Sequence, residues 1–305
     1  MWAKTKYGTD HQLNFTKLMN NYLSILKNAG PNSITYYVGD NLTHLKHLKD
    51  CTLYCKQQFN LDSSIKQIIV QNPQLEFYKL SKQYKEDYLD NFNLEPDSKS
   101  KSYIHKDAII GKNVRIGAGS IISNCIIEDN VEIHSNVVIH AKTYIKSGTI
   151  IESNTTIGGT GVMWVWDQGE RVYLEQLGNV LIEENCRVGS QVEIVRGSAN
   201  ETTLIGKGTC IAHGTLIGHG CQIGEYVHMA NGIKLGGSAE ISSYNFLGSG
   251  AIVSAGVKLL SKDIILGAGA VVTKNITKPG VYVGTPSKFL KPSTGKLSGI
   301  PTWRK

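Results

Sequence analysis

The sequence predicts a mainly β protein, in which a parallel β-helix follows a small N-terminal α/β domain. An aliphatic residue or methionine recurs at every sixth position over long stretches, and the first 100 residues lack this repeat. A period of six fits neither an α-helix nor a free strand, whereas hexapeptide repeats are typical of a parallel β-helix. Three hexads make one coil, and each coil is buried by its neighbours, so we expect a hexapeptide-repeat solenoid.

The N-terminal α/β domain is predicted to span residues 1–100. The predicted elements are a helix over 15–31, strands over 34–38, 51–55 and 66–70, and a helix over 73–92. Pro73 favours a helix start, because the N–H that proline lacks would have no hydrogen-bond partner within the helix at the first helical position. The polar segment 93–102 is predicted to be a linker to the repeat.

The repeat defines a second domain over residues 101–278. From Ile205 to Val271 the step of six meets an aliphatic residue or methionine twelve times in succession. Shorter series run over Ile104–Ile122, Ile127–Ile157 and Ile182–Ile194. Each of these side chains is predicted to point into the prism. The residue after it is often Gly, Ala or Ser, which we expect to let the chain bend tightly.

Two segments interrupt the repeat. Residues 158–180 contain "MWVW-DQGE-RVYL", which predicts a hairpin projecting from the prism. Trp164 and Trp166 on this hairpin could cover an acceptor or pack between subunits. A second slip lies in "RGSANETTL", between Ile194 and Ile205. The final segment, residues 279–305, is predicted to be a C-terminal tail.

Three histidines, His213, His219 and His228, lie within the longest series. Residues six apart are separated by roughly 20 Å of strand and lie on different faces of the prism. His213 and His219 therefore cannot share a metal ion within one chain, and no metal site is predicted. His213 is expected to face solvent. For His219 the pattern leaves two readings open, a surface histidine or a general base at neutral pH.

Charge and composition restrict the kinds of ligand and partner that we expect. A net charge of +7 is mild and suits a ligand that bears phosphates, although a solvated basic surface explains it as well. The basic clusters with interleaved aromatics that are typical of nucleic-acid binding are missing from the sequence. No apolar run is long enough for a membrane span, and the start has no signal-peptide pattern. We therefore expect a cytoplasmic protein.

Residues 104–290 resemble the left-handed β-helix acyltransferases. Within them, "LIGHGCQIGEYVHMANG" and the ending "GVYVGTPSKFLK" resemble bacterial nucleotide-sugar N-acetyltransferases of the sialic-acid and bacillosamine type. The whole chain also resembles the lipid A pathway UDP-3-O-acylglucosamine N-acyltransferase, through "HLKHLKD", "VQNPQLEF" and "LEQLGNVLIEENCRVGSQVEI". Both resemblances imply a left-handed parallel β-helix and a homotrimer.

The resemblances also imply roles for six residues. They are His219 as catalytic base, His228, Gly237 and Lys288 as donor-binding residues, and Tyr36 and His44 as nucleotide-sugar-binding residues. For His228 and Gly237 the ordinary readings are a solvent-facing histidine and a corner glycine. His44 departs from the lipid A family, which has a tyrosine there, so base recognition is expected to differ.

Three further departures affect the choice between the families. Gly256 stands where the lipid A family has a second histidine, and the tail "PSTGKLSGIPTWRK" is too rich in Pro and Gly for that family's helical extension. Gly220 stands where the acetyltransferases have an acidic residue that orients the base. An orienting carboxylate is therefore expected from elsewhere in the chain or from a neighbouring subunit.

The resemblances, weighed with these departures, imply an N-acyltransferase that moves a short acyl group, acetyl or a small hydroxyacyl, from acyl-CoA (acetyl-CoA) to the amine of a UDP- or dTDP-linked amino sugar. The product would serve O-antigen or another surface polysaccharide. Transfer is expected to be direct, without an acyl-enzyme and without a permanently bound cofactor. The alternatives are the lipid A step itself, using 3-hydroxyacyl carrier protein, and a β-helix scaffold without catalysis.

Overall fold

The computed structural model describes residues 21–88 and 94–293, and the chain forms two compact units. The first unit comprises residues 1–88 and 162–175, and the second comprises residues 89–161 and 176–305. A segment that lies inside the repeat in sequence therefore belongs to the first unit.

A four-stranded parallel sheet and one helix make up most of the first unit. Its elements are β1 (Tyr22–Leu23), β2 (Ser33–Tyr36), β3 (Thr52–Cys55), β4 (Lys66–Ile69) and α1 (Pro73–Tyr88), with 3₁₀ turns at Leu26–Asn28 and Leu42–Leu45. The three strands expected here are confirmed to within two residues. The helix expected over 15–31 is wrong in its described part, because Tyr22 and Leu23 pair with β2. Tertiary pairing outweighs local helical propensity there, and residues 15–20 lie outside the described residues.

Helix α1 begins as the sequence predicts. The Asn72 side chain accepts the Leu75 N–H at 3.1 Å, which satisfies one of the free donors of the first turn. Phe77 and Tyr78 are each 1% exposed and pack the helix onto the sheet. Within the described residues, no helix is long and apolar enough to cross a membrane.

Short strands continue from here to the end of the described chain. They are β5 (Leu94–Asp97), β6 (Ser102–His105), β7 (Ile109–Ile110), β8 (Arg115–Ile116), β9 (Ile121–Ile122), β10 (Ile126–Ile127), β11 (Glu132–Ile133), β12 (Val138–Ile139), β13 (Thr143–Ile145), β14 (Ile150–Ile151), β15 (Thr156–Gly159), β16 (Trp164–Asp167), β17 (Glu170–Tyr173), β18 (Asn179–Ile182), β19 (Arg187–Val188), β20 (Glu193–Val195), β21 (Thr202–Ile205), β22 (Cys210–Ile211), β23 (Leu216–Ile217), β24 (Gln222–Ile223), β25 (His228–Met229), β26 (Lys234–Leu235), β27 (Glu240–Ile241), β28 (Phe246–Leu247), β29 (Ile252–Val253), β30 (Lys258–Leu259), β31 (Ile264–Leu266), β32 (Val271–Val272), β33 (Gly280–Val283) and β34 (Lys288–Lys291).

All of these strands except β16 and β17 stack into the three sheets of a solenoid. The first solenoid sheet holds β7, β10, β13, β18, β21, β24, β27 and β30; the second holds β8, β11, β14, β19, β22, β25, β28, β31, β33 and β34; the third holds β5, β6, β9, β12, β15, β20, β23, β26, β29 and β32. Strands of successive coils pair in parallel register, as Ile205 does with Ile182 and Ile223. The expected inward residues Ile205, Ile217 and Leu247 are fully buried, so the predicted mainly β solenoid is confirmed.

Small residues directly after the inward residue were expected to let the chain bend tightly, but the turns between sheets show a different reason for them. Positive φ angles recur every six residues, as at Gly208, Gly214 and Gly220, three positions after the inward residue. The residue directly after the inward one is small for another reason. A Cβ at Gly218 would lie 2.6 Å from the backbone nitrogen of Gly237 in the next coil. Close stacking of coils, and not tight bending, therefore restricts that position.

The repeat slips once more near its end. Leu266 pairs with Leu247, and Val272 pairs with Val253, so these two residues face inward. The assignment of Ile265 and Val271 as inward residues is therefore wrong by one position. Each inward residue here has an aliphatic neighbour, and this concealed the slip. The Asn245 amide stabilises the additional residue, accepting the Ile264 N–H at 2.7 Å and donating to the Ser261 carbonyl at 3.0 Å.

Both ends of the repeat extend further than the sequence indicates. The segment 93–102 was expected to be a linker, but β5 and β6 pair there as an antiparallel hairpin on the third solenoid sheet. The Asp97 carboxylate accepts the Ser100 N–H at 2.8 Å and stabilises its turn. At the other end, β33 and β34 add to the second solenoid sheet, so the described part of the expected tail is ordered sheet.

Strands β16 and β17 form the antiparallel hairpin and pack on α1 within the first unit. Lys79 and Asp167 form an ion pair at 2.7 Å, and the Glu175 N–H donates to the Ser81 hydroxyl at 3.1 Å. Trp164 and Trp166 lie on the other face of the hairpin and are 38% and 55% exposed in this chain.

Candidate active site

His219 lies in a turn that leads from the third solenoid sheet to the first, between β23 and β24. We call this stack of turns the His219 corner; it comprises residues 140–142, 195–201, 218–220, 236–238 and 254–256. Ile217, two residues earlier, is fully buried, and the imidazole therefore projects outward, with its side chain 26% exposed. A partly exposed imidazole can meet a substrate and still be held by its neighbours.

Two polar side chains from the preceding coil face the Nδ1 atom of His219. One Glu201 carboxylate oxygen lies 3.3 Å from Nδ1, and the Ser198 hydroxyl oxygen also lies 3.3 Å away. The Glu201 side chain is only 3% exposed, so water screens this interaction weakly. The carboxylate that the sequence required from elsewhere is therefore found in the same chain.

The opposite edge of the imidazole faces Gly237, one coil further along the His219 corner. A Cβ on Gly237 would overlap the Nε2 atom of His219, so the ring lies directly against the Gly237 backbone. The structure thus brings together His219 and Gly237, two of the six residues predicted for the site.

Two potential nucleophiles lie near this base, a serine that the sequence reading had not placed there and a cysteine. Ser198 contacts the same nitrogen that faces Glu201, and so shares the role of holding the ring. Cys221 is fully buried, and burial raises the pKa of its thiol to about 12. A thiol with such a pKa supplies almost no thiolate at neutral pH. These contacts agree with direct transfer.

His213 and His228 lie on other sides of the same chain. His213 is exposed in the turn between β22 and β23, where its Nδ1 accepts the Ser190 N–H at 2.9 Å. His228 is exposed on β25 of the second solenoid sheet, and its ring stacks on Phe246 with centroids 5.0 Å apart. Within one chain His228 and His219 therefore do not form one site.

Within the second unit, Lys288 is also separate from His219. Lys288 is exposed at the start of β34 on the second solenoid sheet. In the first unit, Tyr36 packs against Phe77 and Tyr78 beneath α1, with ring centroids 5.0 and 6.5 Å away. Burial raises the pKa of Tyr36 to about 12.

Tyr36 and His44 do not lie together either. His44 is exposed in the 3₁₀ turn, and its ring lies 6.2 Å from that of Tyr37. Tyr37 directly follows β2, and its N–H continues the pairing by donating to the Tyr54 carbonyl at 2.9 Å. Successive residues of an extended chain point to opposite faces of a sheet, so Tyr36 and Tyr37 face opposite sides. The aromatic partner of His44 is therefore Tyr37 and not Tyr36, a distinction that the sequence pattern did not reveal.

Gly256 continues the His219 corner one coil beyond Gly237. Its N–H donates to the Gly237 carbonyl at 2.9 Å, and among the described residues, apart from Gly256 and its two chain neighbours, none has an atom within 4 Å of where its Cβ would be. The position expected for a second histidine in the lipid A family is therefore open space at this corner.

Comparison with known proteins agrees with this architecture. Residues 124–159 match the family described as bacterial transferase hexapeptide (six repeats). Two solved structures, the UDP-N-acetylglucosamine acyltransferases of Bacteroides fragilis and Campylobacter jejuni, each cover 62% of this chain. Each aligns over 72% of its own chain, with a TM-score of 0.56 and identities of 24% and 22%, respectively. At such identities the likeness shows the fold alone.

Relatives with higher sequence identity than these structures share one name. The UDP-3-O-acylglucosamine N-acyltransferase of Helicobacter pylori is 37% identical over 204 residues, which cover 62% of this chain and 60% of the relative. The protein of that name from Delftia acidovorans is 30% identical over 128 residues, covering 42% of this chain and 38% of the relative. The chain thus spans less than two thirds of either relative. The predicted resemblance to hexapeptide-repeat β-helix acyltransferases is confirmed.

Proposed function

We propose that this protein is an acyltransferase that acylates the amine of a UDP-linked amino sugar, with His219 as the general base. The observation that carries the proposal is the arrangement around the imidazole. Glu201 and Ser198 each contact Nδ1 at 3.3 Å, and Nε2 lies against the Gly237 backbone. A general base must lie within hydrogen-bond reach of the proton that it removes, and a held imidazole meets this need.

The chemistry is a direct transfer. The sugar amine attacks the thioester carbonyl, the new C–N bond forms, and the C–S bond breaks. Nε2 of His219 accepts the proton that the amine loses, and the thiolate that leaves is protonated in turn. The backbone N–H of Gly237 is the proposed donor to the carbonyl oxygen as negative charge develops there.

The relatives favour one acceptor. The relatives from Helicobacter pylori and Delftia acidovorans are both named as acyltransferases of UDP-3-O-acylglucosamine. We therefore propose UDP-3-O-acylglucosamine as the acceptor and a 3-hydroxyacyl carrier protein as the donor. This reverses the order of the two readings that the sequence suggested.

Acetyl-CoA with a deoxyamino sugar remains the second candidate, for one specific reason. Gly256 leaves open space where the lipid A enzymes are expected to carry their second histidine. The product of that reaction would enter a surface polysaccharide. The two candidates share His219 and differ in the donor.

A homotrimer is part of the proposal. The His219 corner and the exposed His228 on the second solenoid sheet lie on different sides of one chain. Clefts between packed solenoids provide the concave site that a flat face of a prism lacks. In such an assembly, His228 and Lys288 of one chain would contact the donor beside His219 of another.

The test is thiol release from 3-hydroxyacyl carrier protein and from acetyl-CoA, each with a panel of UDP- and dTDP-amino sugars. We expect turnover with the carrier protein and UDP-3-O-acylglucosamine. Turnover confined to acetyl-CoA and a deoxyamino sugar would establish the second candidate instead. No turnover with any pair would leave the scaffold reading.

Substitution of the base gives the corresponding residue test. His219→Ala is expected to lower kcat by about 10²–10⁴ because the general base is lost. His213→Ala is the matched control, since His213 is an exposed histidine followed by glycine in another turn of the same solenoid. Equal activity of the two variants would contradict a catalytic role for His219.

A further inference from the structure

The turn between β20 and β21 is longer than the turn that holds His219. Ile194 and Ile205 are both fully buried inward residues, yet their numbers differ by eleven, whereas those of Ile217 and Ile223 differ by six. The register of the flanking coils is kept, because Ile194 pairs with Ile217 and Ile205 pairs with Ile223. The additional residues therefore form a bulge that leaves the stacking of coils intact.

Hydrogen bonds of a buried arginine and of a backbone N–H stabilise the bulge. Arg196 is 1% exposed and donates to the carbonyls of Gly158 at 2.7 Å and Ala141 at 2.9 Å, in two preceding coils. The Ser198 N–H donates to the Glu201 carboxylate at 3.0 Å and closes the bulge on itself. A Cβ on Gly197 would overlap the Glu201 carbonyl, so glycine is required for this path. These contacts fix the position of the Glu201 side chain.

The bulge leaves no room for a side chain at Gly220. Its φ of +65° favours glycine, but other turns of the solenoid have the same conformation. Gly214 has a φ of +68°, and among the described residues, apart from Gly214 and its two chain neighbours, none has an atom within 4 Å of its Cβ position. At Gly220 a Cβ would overlap the Glu201 carboxyl group. The carboxylate thus fills the space that a side chain next to the base would need.

We propose that Glu201 is the positioning residue of His219. Its carboxylate accepts the Nδ1–H of the imidazole and thereby fixes the tautomer in which Nε2, the atom against Gly237, is free to accept a proton. This inference rests on the proposed function for its catalytic meaning, but the tautomer is a property of the protein alone. The slip in the repeat is then a device that brings a carboxylate to the base from the preceding coil.

The direct test is ¹⁵N NMR of histidine-labelled protein at a pH at which imidazoles are neutral. His219 is assigned by the signal that disappears in His219→Ala. We expect the wild type to carry the proton on Nδ1, and Glu201→Gln to lose this preference, because an amide is a weaker acceptor than a carboxylate. An unchanged His219 tautomer in Glu201→Gln would overturn the proposal.

Gly220→Ala provides a second variant that leaves the carboxylate chemistry intact and displaces it. We expect the same change of tautomer, and a fall in kcat on the order of tenfold or more with little change in KM. Gly214→Ala is the matched control, because it introduces the same methyl group at the same φ without touching Glu201, and it should keep both tautomer and rate. Should Glu201→Gln fail to fold, the pair Gly220→Ala and Gly214→Ala decides the question, and an identical tautomer in both overturns the proposal.

The outcomes separate this proposal from the proposed function. If Glu201→Gln shifts the tautomer while the wild type transfers no acyl group, the positioning contact is supported and the acyltransferase is rejected. Acyl transfer by the wild type together with an unaltered tautomer in Glu201→Gln would do the reverse.

Discussion

At the residue scale, the free space around the His219 imidazole depends on a glycine. Gly237 lies against Nε2, and a methyl group there would overlap the ring. The equivalent residue one coil further is Ala255, two positions after the inward Val253. Alanine is therefore compatible with the backbone at this position of the hexad, and at Gly237 the three atoms nearest to a Cβ all belong to the imidazole.

Gly237→Ala is accordingly expected to keep its stability and lose activity. Displacing the ring by about 1 Å should lower kcat roughly 10²-fold. The measurement is kcat alongside the midpoint of urea unfolding. A variant with wild-type kcat would show that the ring has room to move, and an unfolded variant would show that the backbone, and not the imidazole, requires glycine.

The sequence revealed only half of this site. His219 and Gly237 could be found because the family resemblances identify them, whereas the hexad register alone left the role of His219 open. Glu201 could not, since it lies in the slip, where a residue can no longer be assigned to a face by counting. The available signal was an acidic residue inside an interruption, one coil before a candidate base.

At the element scale, Lys142 connects the His219 corner to the segment that re-enters the solenoid after the hairpin. Its ammonium donates to the Leu177 carbonyl at 2.8 Å. Burial and the nearby Arg196 charge lower the pKa of Lys142 to about 7. In the unfolded chain the pKa of a lysine is about 10.4. Between these values the unfolded state binds a proton that the folded state lacks, so this group makes stability rise with pH from about 7 to 10.

Lys142→Met should therefore flatten that rise. The slope of the unfolding free energy against pH is expected to fall by up to about 1.4 kcal/mol per pH unit between pH 7 and 10. Urea titrations over this range, at fixed protein concentration, measure the slope. Lys112→Met, at an exposed lysine on the same solenoid, serves as the control. Equal slopes in the two variants would contradict the burial argument.

Periodicity predicted the solenoid elements well because every coil repeats one requirement, an aliphatic side chain pointing inward. It failed where two aliphatic residues are adjacent, as at Ile265 and Leu266, since either satisfies the pattern. At the N-terminal end of the described chain, strand pairing between distant residues determined the secondary structure. Tyr22 joins a sheet through contacts that no local window contains.

At the scale of the whole molecule, the proposed trimer makes the active site a shared structure. If His219 of one chain acts with His228 of another, neither His219→Ala nor His228→Ala should be active alone. Mixed trimers of the two variants would then contain some sites with both histidines intact.

Coexpression of the two variants with different affinity tags should therefore restore part of the wild-type activity in doubly purified protein. Light scattering of the same sample should give the mass of three chains. Activity that stays at the level of the single variants would contradict a site shared in this way.

The central claim is that His219 promotes transfer of an acyl group to a sugar amine. The most direct measurement is mass spectrometry of the product formed from UDP-3-O-acylglucosamine and 3-hydroxyacyl carrier protein by the wild type and by His219→Ala. The account predicts an N-acylated sugar and an equal amount of free thiol with the wild type, and at most about one hundredth of that rate with the variant. Thiol release without N-acylation, or equal product from both proteins, would contradict it.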